Sequence, residues 1–236
     1  MTNFEKREIR APFFCVNPKA YLYGEEALKL AKAADELAKT FDIDIFFTVQ
    51  YVDAYRIAKE TTNLIITVQH MDALTVGAGM GYILPEGISA AGVQATFLNH
   101  AEHPIKVNQL VKTMQRAEEE GIIVIACADS IAEARAIATL KPDVMVCEPT
   151  ELIGTGKVSD VSYMEQTNQA VKAVSPKTLV LQAAGISTIA DVRQAIESGA
   201  DGTGGTSGIV CATDPIHTLQ EMVEEVTKVR DELKER

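Results

Sequence analysis

Residues 178–205 read TLVLQAAGISTIADVRQAIESGADGTGG. The stretch opens on a short apolar run, 178–182, rich in branched residues and nearly continuous in hydrophobicity, as expected of a strand covered on both faces. A turn carrying Gly185 follows. Ser187 can then cap a helix through Ser198, and Gly199 stands just beyond its end, where a left-handed residue commonly closes a helix. A second strand is placed at 201–205, although Gly202, Gly204 and Gly205 give almost no strand signal of their own.

The same strand–helix unit recurs towards the N-terminus. Comparable apolar runs lie at 13–16, 43–49, 64–68, 94–98, 122–127 and 144–147. Between them stand helical patterns with recognisable ends. Residues 25–39 carry an apolar stripe of period 3.6 through Ala27, Leu30, Ala31, Ala34, Leu37 and Ala38. Pro104 is expected to open a helix that ends at Gly121, and Ser130 to cap one through Leu140. Pro215 is expected to start a terminal helix whose charged tail, 228–236, frays.

Strictly alternating strands and helices specify a parallel sheet joined by right-handed crossovers. Eight such units in 236 residues fit a closed (β/α)8 barrel better than an open doubly wound sheet. No GxGxxG follows the first strand, which removes the main support for dinucleotide binding. With no low-complexity linker and no break in composition, residues 1–236 are expected to form a single domain.

The chain is 47% hydrophobic and 23% charged, with a formal net charge of −11. That charge argues against a nucleic-acid partner and against an anionic membrane surface. An anionic substrate would need local donors to overcome the overall field, which directs attention to lone cations and helix N-termini. Cys15, Cys127, Cys147 and Cys211 show no CxxC pairing and no short disulfide framework, and three of them lie in or beside apolar runs, so buried reduced thiols there and a cytoplasmic location are expected. The charged first ten residues lack the apolar core of a secretion signal, and no stretch approaches a membrane span.

In such barrels chemistry sits where the loops after the strands converge, at the C-terminal ends. The first strand is followed by Asn17-Pro18-Lys19, the fourth by Asn99-His100-Ala101-Glu102, and the sixth by Glu148-Pro149-Thr150-Glu151-Leu152-Ile153-Gly154-Thr155-Gly156-Lys157. The remaining strand ends offer mainly Gln50, Gln69, Asp129 and glycine-rich turns. A lysine, a histidine and a glutamate are thus expected at one mouth. Taken singly, each is commonly a loop charge or a structural hydrogen bonder; their joint placement gives the functional reading. His70 is read as structural, and His103 and His217 as helix-entry residues. No His/Cys/Asp/Glu cluster has metal-ligand spacing, so no metal is expected.

The run from Glu148 through Ile153-Gly154-Thr155-Gly156-Lys157 resembles the hinged lid of the triosephosphate isomerase family, particularly its shorter archaeal branch. Asn17-Pro18-Lys19 resembles that family's Asn-x-Lys, and Asn99-His100-Ala101-Glu102 its Asn/Gly-His-Ser-Glu. Gly185 and the Thr206-Ser207-Gly208 turn sit where the family binds phosphate, and the correspondence runs in order along essentially the whole chain. The resemblance implies an aldose–ketose isomerase of dihydroxyacetone phosphate and D-glyceraldehyde 3-phosphate that needs no cofactor. It makes Glu148 the base at carbon and His100 a neutral electrophile, its charged form disfavoured by a nearby helix N-terminus. Lys19 and Asn17 would bind phosphate and developing oxyanion, and Glu102 would anchor Lys19. Ile153, Gly154, Gly185, Thr206 and Ser207 would bind phosphate.

Pro18 stands where the family usually has an aromatic residue, Ala101 where it has serine, and Met80 where it has a threonine on a loop that reaches the neighbouring subunit. These departures motivate two alternatives, a paralogue acting on a tetrulose phosphate and a phosphosugar-binding homologue with little catalysis. An unrelated phosphate-binding barrel would share the last two turns but not the lid signature. The resemblance further implies that the segment 69–82 projects between subunits of a homodimer or homotetramer.

Overall fold

The computed structural model describes residues 6–148 and 160–235. In chain order the elements are β1 (Phe13–Val16), α1 (Gly24–Thr40), β2 (Ile45–Val49), α2 (Tyr51–Glu60), β3 (Ile65–Val68), α3 (Pro85–Ala90), β4 (Ala95–Leu98) and α4 (Val107–Glu119). There follow β5 (Ile123–Ala128), α5 (Ile131–Ala138), β6 (Val144–Cys147), α6 (Val161–Val174), β7 (Leu179–Gln182), α7 (Ile189–Glu197), β8 (Gly202–Gly205), the short α8 (Ser207–Val210) and α9 (Pro215–Lys234). The strands close into one parallel barrel in sequence order, β8 returning to β1. This is the (β/α)8 barrel expected from the repeats, and each expected strand coincides with an observed one to within two residues.

The near-continuous apolar runs have a simple cause. Alternate residues of a strand face opposite sides, and here both sides are dry. Phe13, Cys15, Phe46, Ile65, Phe97, Ile125 and Val146 fill the barrel interior, while Phe14, Val16, Ile45, Phe47, Ile66 and Val124 pack outward against the helices. Phe13 and Phe46 meet edge to face, their centroids 5.2 Å apart.

The glycine-rich β8 forms because its neighbour supplies the missing side chains. Phe13 pairs with Gly202, and a Cβ on Gly202 would lie 2.4 Å from the Phe13 ring. A Cβ on Gly204 would lie 2.1 Å from the Cys15 carbonyl oxygen. The weak strand signal therefore reflects close packing against β1.

At the opposite end of the barrel, carboxylates receive the backbone as strands begin. Asp143 accepts the Val124 N–H and Asp201 the Val180 N–H, each at 2.8 Å, while Asp44 pairs with Arg7 and Arg10. Polar residues on this face hold the scaffold.

Three helix ends differ from expectation. Helix α4 begins at Val107, not at Pro104, because Ile105 N–H donates to Asn99 Oδ1 and residues 100–105 are held as a turn. Helix α7 is capped by Thr188 instead of Ser187: Thr188 Oγ1 accepts the Asp191 N–H, and the Asp191 carboxylate accepts the Thr188 N–H in return. Helix α9 continues to Lys234 without the expected fraying, because Val226 and Val229 are buried and Arg230 donates to the Phe41 and Asp42 carbonyls. Among the described residues no helix is long and apolar enough to cross a membrane.

Candidate active site

A cavity of about 840 Å³ opens at the C-terminal ends of the strands, and Asn17, Lys19, His100, Glu102, Glu148, Gly185, Thr206 and Ser207 all line it. The residues singled out in the sequence thus share one space. Ile153 and Gly154 lie outside the described residues.

Lys19 follows β1 with φ of +46°, a left-handed conformation uncommon for a residue with a side chain. Its backbone N–H donates to Asn17 Oδ1 at 3.0 Å. That bond orients the Asn17 amide, since the oxygen is engaged and the NH2 group remains as the donor. The Lys19 ammonium stands 2.8 Å from Glu102 Oε2, so the cation reaches the site already paired with a half-exposed carboxylate.

His100 begins the turn after β4. The Glu102 backbone N–H donates to His100 Nδ1 at 3.1 Å, which assigns the ring proton to Nε2. Burial and the Lys19 charge push the imidazole below its ordinary pKa, with Glu102 opposing them. The ring is therefore neutral near pH 7 and keeps an N–H donor on its free side. The helix that follows, α4, starts at Val107. Asn99, at φ +60°, fixes the turn: its amide donates to the Cys127 carbonyl and Glu133, and its Oδ1 accepts from Ile105.

Glu148 continues β6, its N–H donating to the Ala128 carbonyl at 3.0 Å. Burial lifts its carboxyl pKa to about 7; Lys19 pulls it down and Glu102 pushes it up. Its surroundings are soft and apolar. Burial, reinforced by the Glu148 carboxylate, pushes the Cys15 thiol up to about 12 and raises the Cys127 thiol well above its ordinary range. All four cysteines are free.

The turns after β7 and β8 form the remaining wall. They are in contact: a Cβ on Gly208 would stand 2.5 Å from the Ile186 carbonyl oxygen and 2.7 Å from Ser187 Cα, so only glycine permits this approach. Gly185, Thr206 and Ser207 consequently face one small volume.

Sequence reasoning missed the other half of the cavity. His103, read as a helix-entry residue, packs against His70 with ring centroids 4.4 Å apart and planes tilted by 46°, and His70 Nε2 lies 3.3 Å from Asp72 Oδ1. Both rings line the cavity beside Tyr51 and Tyr82. His217 is at a helix entry as expected, its N–H donating to Asp214.

The family profile described as triosephosphate isomerase matches residues 12–224 of the chain. The chain belongs to the triosephosphate isomerase family. Curated triosephosphate isomerases share this relationship along nearly their whole length. The enzyme of Methanobacterium bryantii is 36% identical over 220 residues, covering 91% of this chain and 97% of its own. That of Methanopyrus kandleri is 36% identical over 221 residues, covering 91% and 98%, and that of Sulfurisphaera tokodaii 31% over 230 residues, covering 96% and 100%. Against the triosephosphate isomerase pattern, Pro18 is buried next to Lys19 in sequence, Ala101 follows His100 half-buried, and Met80 is 94% exposed.

Proposed function

We propose that this isomerase interconverts dihydroxyacetone phosphate and D-glyceraldehyde 3-phosphate, acting as a single domain over residues 1–236. The observation that carries the reading is the combination in one cavity of a carboxyl lifted to about 7, a neutral imidazole with Nε2–H, and a preset ammonium. Glu148 takes a proton from the hydroxymethyl carbon of the ketose and returns it to the neighbouring carbon. Its raised pKa brings its basicity close to the working pH, where general-base catalysis is most effective. As that carbon–hydrogen bond breaks, negative charge gathers on the carbonyl oxygen, which Lys19, Asn17 and His100 Nε2–H meet with donors already in place. Protonation of that oxygen and loss of the hydroxyl proton from its neighbour complete the exchange. Glu102 anchors Lys19. Phosphate is taken by the Gly185 turn and by Thr206 and Ser207, with Ile153 and Gly154 as further phosphate-binding residues by family resemblance.

Purified protein assayed with triose and tetrose phosphates tests this. Triose phosphates are expected to turn over with kcat/KM above about 10⁴ M⁻¹ s⁻¹. Turnover confined to tetrulose phosphates, or none on any sugar phosphate, would overturn the substrate assignment.

The same reading makes the chain a homo-oligomer, a dimer at minimum. Asp72 and Ile83 exchange two hydrogen bonds that close a projecting loop, and the Leu74 carbonyl within it accepts from Arg116. Val76, Met80 and Tyr82 on that loop are exposed, as are Tyr21, Tyr23, Val52 and Tyr55 in the neighbouring loops and helix start. This concentration of apolar surface at one rim supports association. Light scattering at micromolar concentration is expected to give at least twice the monomer mass; a monomer contradicts the proposal. Free thiols support a reducing, cytoplasmic setting.

A further inference from the structure

The Lys19 carbonyl is held with unusual completeness. Gln50 Nε2, at the end of β2, and Gln69 Nε2, at the end of β3, each donate to it at 2.8 Å. Both acceptor directions of one carbonyl oxygen are thus taken by side chains from two different strands. On its other flank, the Lys19 N–H is held by Asn17 Oδ1. Three amide side chains from the ends of β1, β2 and β3 therefore converge on the two peptide groups of a single residue.

That residue has φ of +46°, a conformation a side-chain-bearing residue keeps only where its surroundings over-determine it. Two further details set the glutamines apart from ordinary scaffold polar groups. Gln50 is the N-cap residue of α2, yet its side chain makes no capping bond to that helix and is committed to Lys19 instead. The next residue, Tyr51, donates its hydroxyl to the carbonyl of His70, the residue after Gln69, at 2.9 Å, which fixes the two glutamine-bearing turns to each other.

We infer that Gln50 and Gln69 are positioning residues for the isomerisation, clamping Lys19 in its left-handed backbone so that its ammonium stays aimed into the cavity. The inference rests on the role proposed above for Lys19. A freed Lys19 backbone relaxes towards a common conformation and rotates its Cα–Cβ bond. The ammonium then leaves Glu102, and the substrate's negative charge no longer meets a preset cation. The two amides act on the same atom, so either alone retains part of the hold, and losing both removes it.

The test uses the full chain carrying Gln50→Ser, Gln69→Met and both. Serine at 50 is a good helix cap, so melting temperature is expected to hold or rise in that variant while activity falls. Each single substitution is expected to lower kcat/KM by about three- to tenfold, the scale of one hydrogen bond. The double variant is expected to lose more than about 100-fold, beyond the product of two weak single effects. Its affinity for inorganic phosphate, measured by competitive inhibition, falls as well. In the double variant the acid limb of the kcat/KM profile, set by Glu148, moves to higher pH, because the cation that lowers it has withdrawn.

A double variant within threefold of wild type, or one whose loss of activity follows a lowered melting temperature with the acid limb unmoved, overturns the clamp. Wild-type protein inert on triose phosphates overturns instead the reading of function on which the clamp rests.

Discussion

Replacing Glu148 with glutamine is expected to lower kcat on triose phosphates about 10³- to 10⁴-fold, the range that a positioned general base contributes. The amide keeps the size of the side chain but cannot accept a proton from carbon, and no second carboxylate takes its place. Of the other acids lining the cavity, Glu102 is paired with the Lys19 ammonium, and Asp72 accepts the Ile83 N–H and lies beside His70. The same variant carries a stability signature of opposite sign. The folded Glu148 carboxyl has a pKa of about 7, above its ordinary 4.5, so the folded state holds that proton more tightly than the unfolded chain. Stability is therefore lost as pH rises from about 4.5 through 7, and the glutamine variant escapes that loss. With the group only half-buried, we expect a gain of about 1–2 kcal/mol at pH 8 and little difference at pH 5. Coupled assays and thermal melts at both pH values check this. A variant within tenfold of wild-type kcat would remove Glu148 from the role of base.

Lys19→Met is expected to lower kcat/KM about 10²- to 10³-fold, the scale of a preorganised charge or donor facing a developing oxyanion. KM rises with it, since the cation also meets the phosphate-bearing substrate before reaction. The pH profile carries the more specific reading. Lys19 depresses the Glu148 pKa, so its removal moves the acid limb of kcat/KM upward from about 7. The Glu102 carboxylate left without its partner, which pushes Glu148 the same way, adds to the shift. Lys19 also lowers the His100 pKa, so methionine lets the imidazole charge more readily and deepens the loss at low pH. A profile from pH 5.5 to 9 with the limb unmoved, or moved downward, would show that the ammonium and the carboxylate do not share a field.

Much of the barrel was legible because its information is local. Apolar runs without alternation mark strands with two dry faces, and Ser130 caps α5 as read, accepting the Glu133 N–H. Lys19, His100 and Glu148 were legible because each directly follows a strand, and strand ends share a rim. What escaped depended on partners distant in sequence. Pro104 looks like a helix start until Asn99 captures the Ile105 N–H. Ser187 and Thr188 are both good caps by composition; the Asp191 carboxylate accepts from both, and it is the Thr188 hydroxyl that takes the Asp191 N–H. Gln50 and Gln69 were visible at strand ends, but nothing local indicates that both reach one carbonyl. His103 gave no sign that its ring would meet that of His70, because the contact arises only when the turns after β3 and β4 lie side by side.

The seam between β1 and β8 sets a condition on synthesis. The Phe13 ring covers a strand that has almost no side chains, and that strand is complete only at Gly205. Until then, a growing chain carries an open parallel edge on β1 and another on β7, both able to pair with the wrong neighbour. A chain terminated shortly before residue 202 is therefore a hazard out of proportion to the few atoms it lacks. Premature stops in this stretch should yield insoluble product, whereas stops within the last turns of α9 remove no part of the ring.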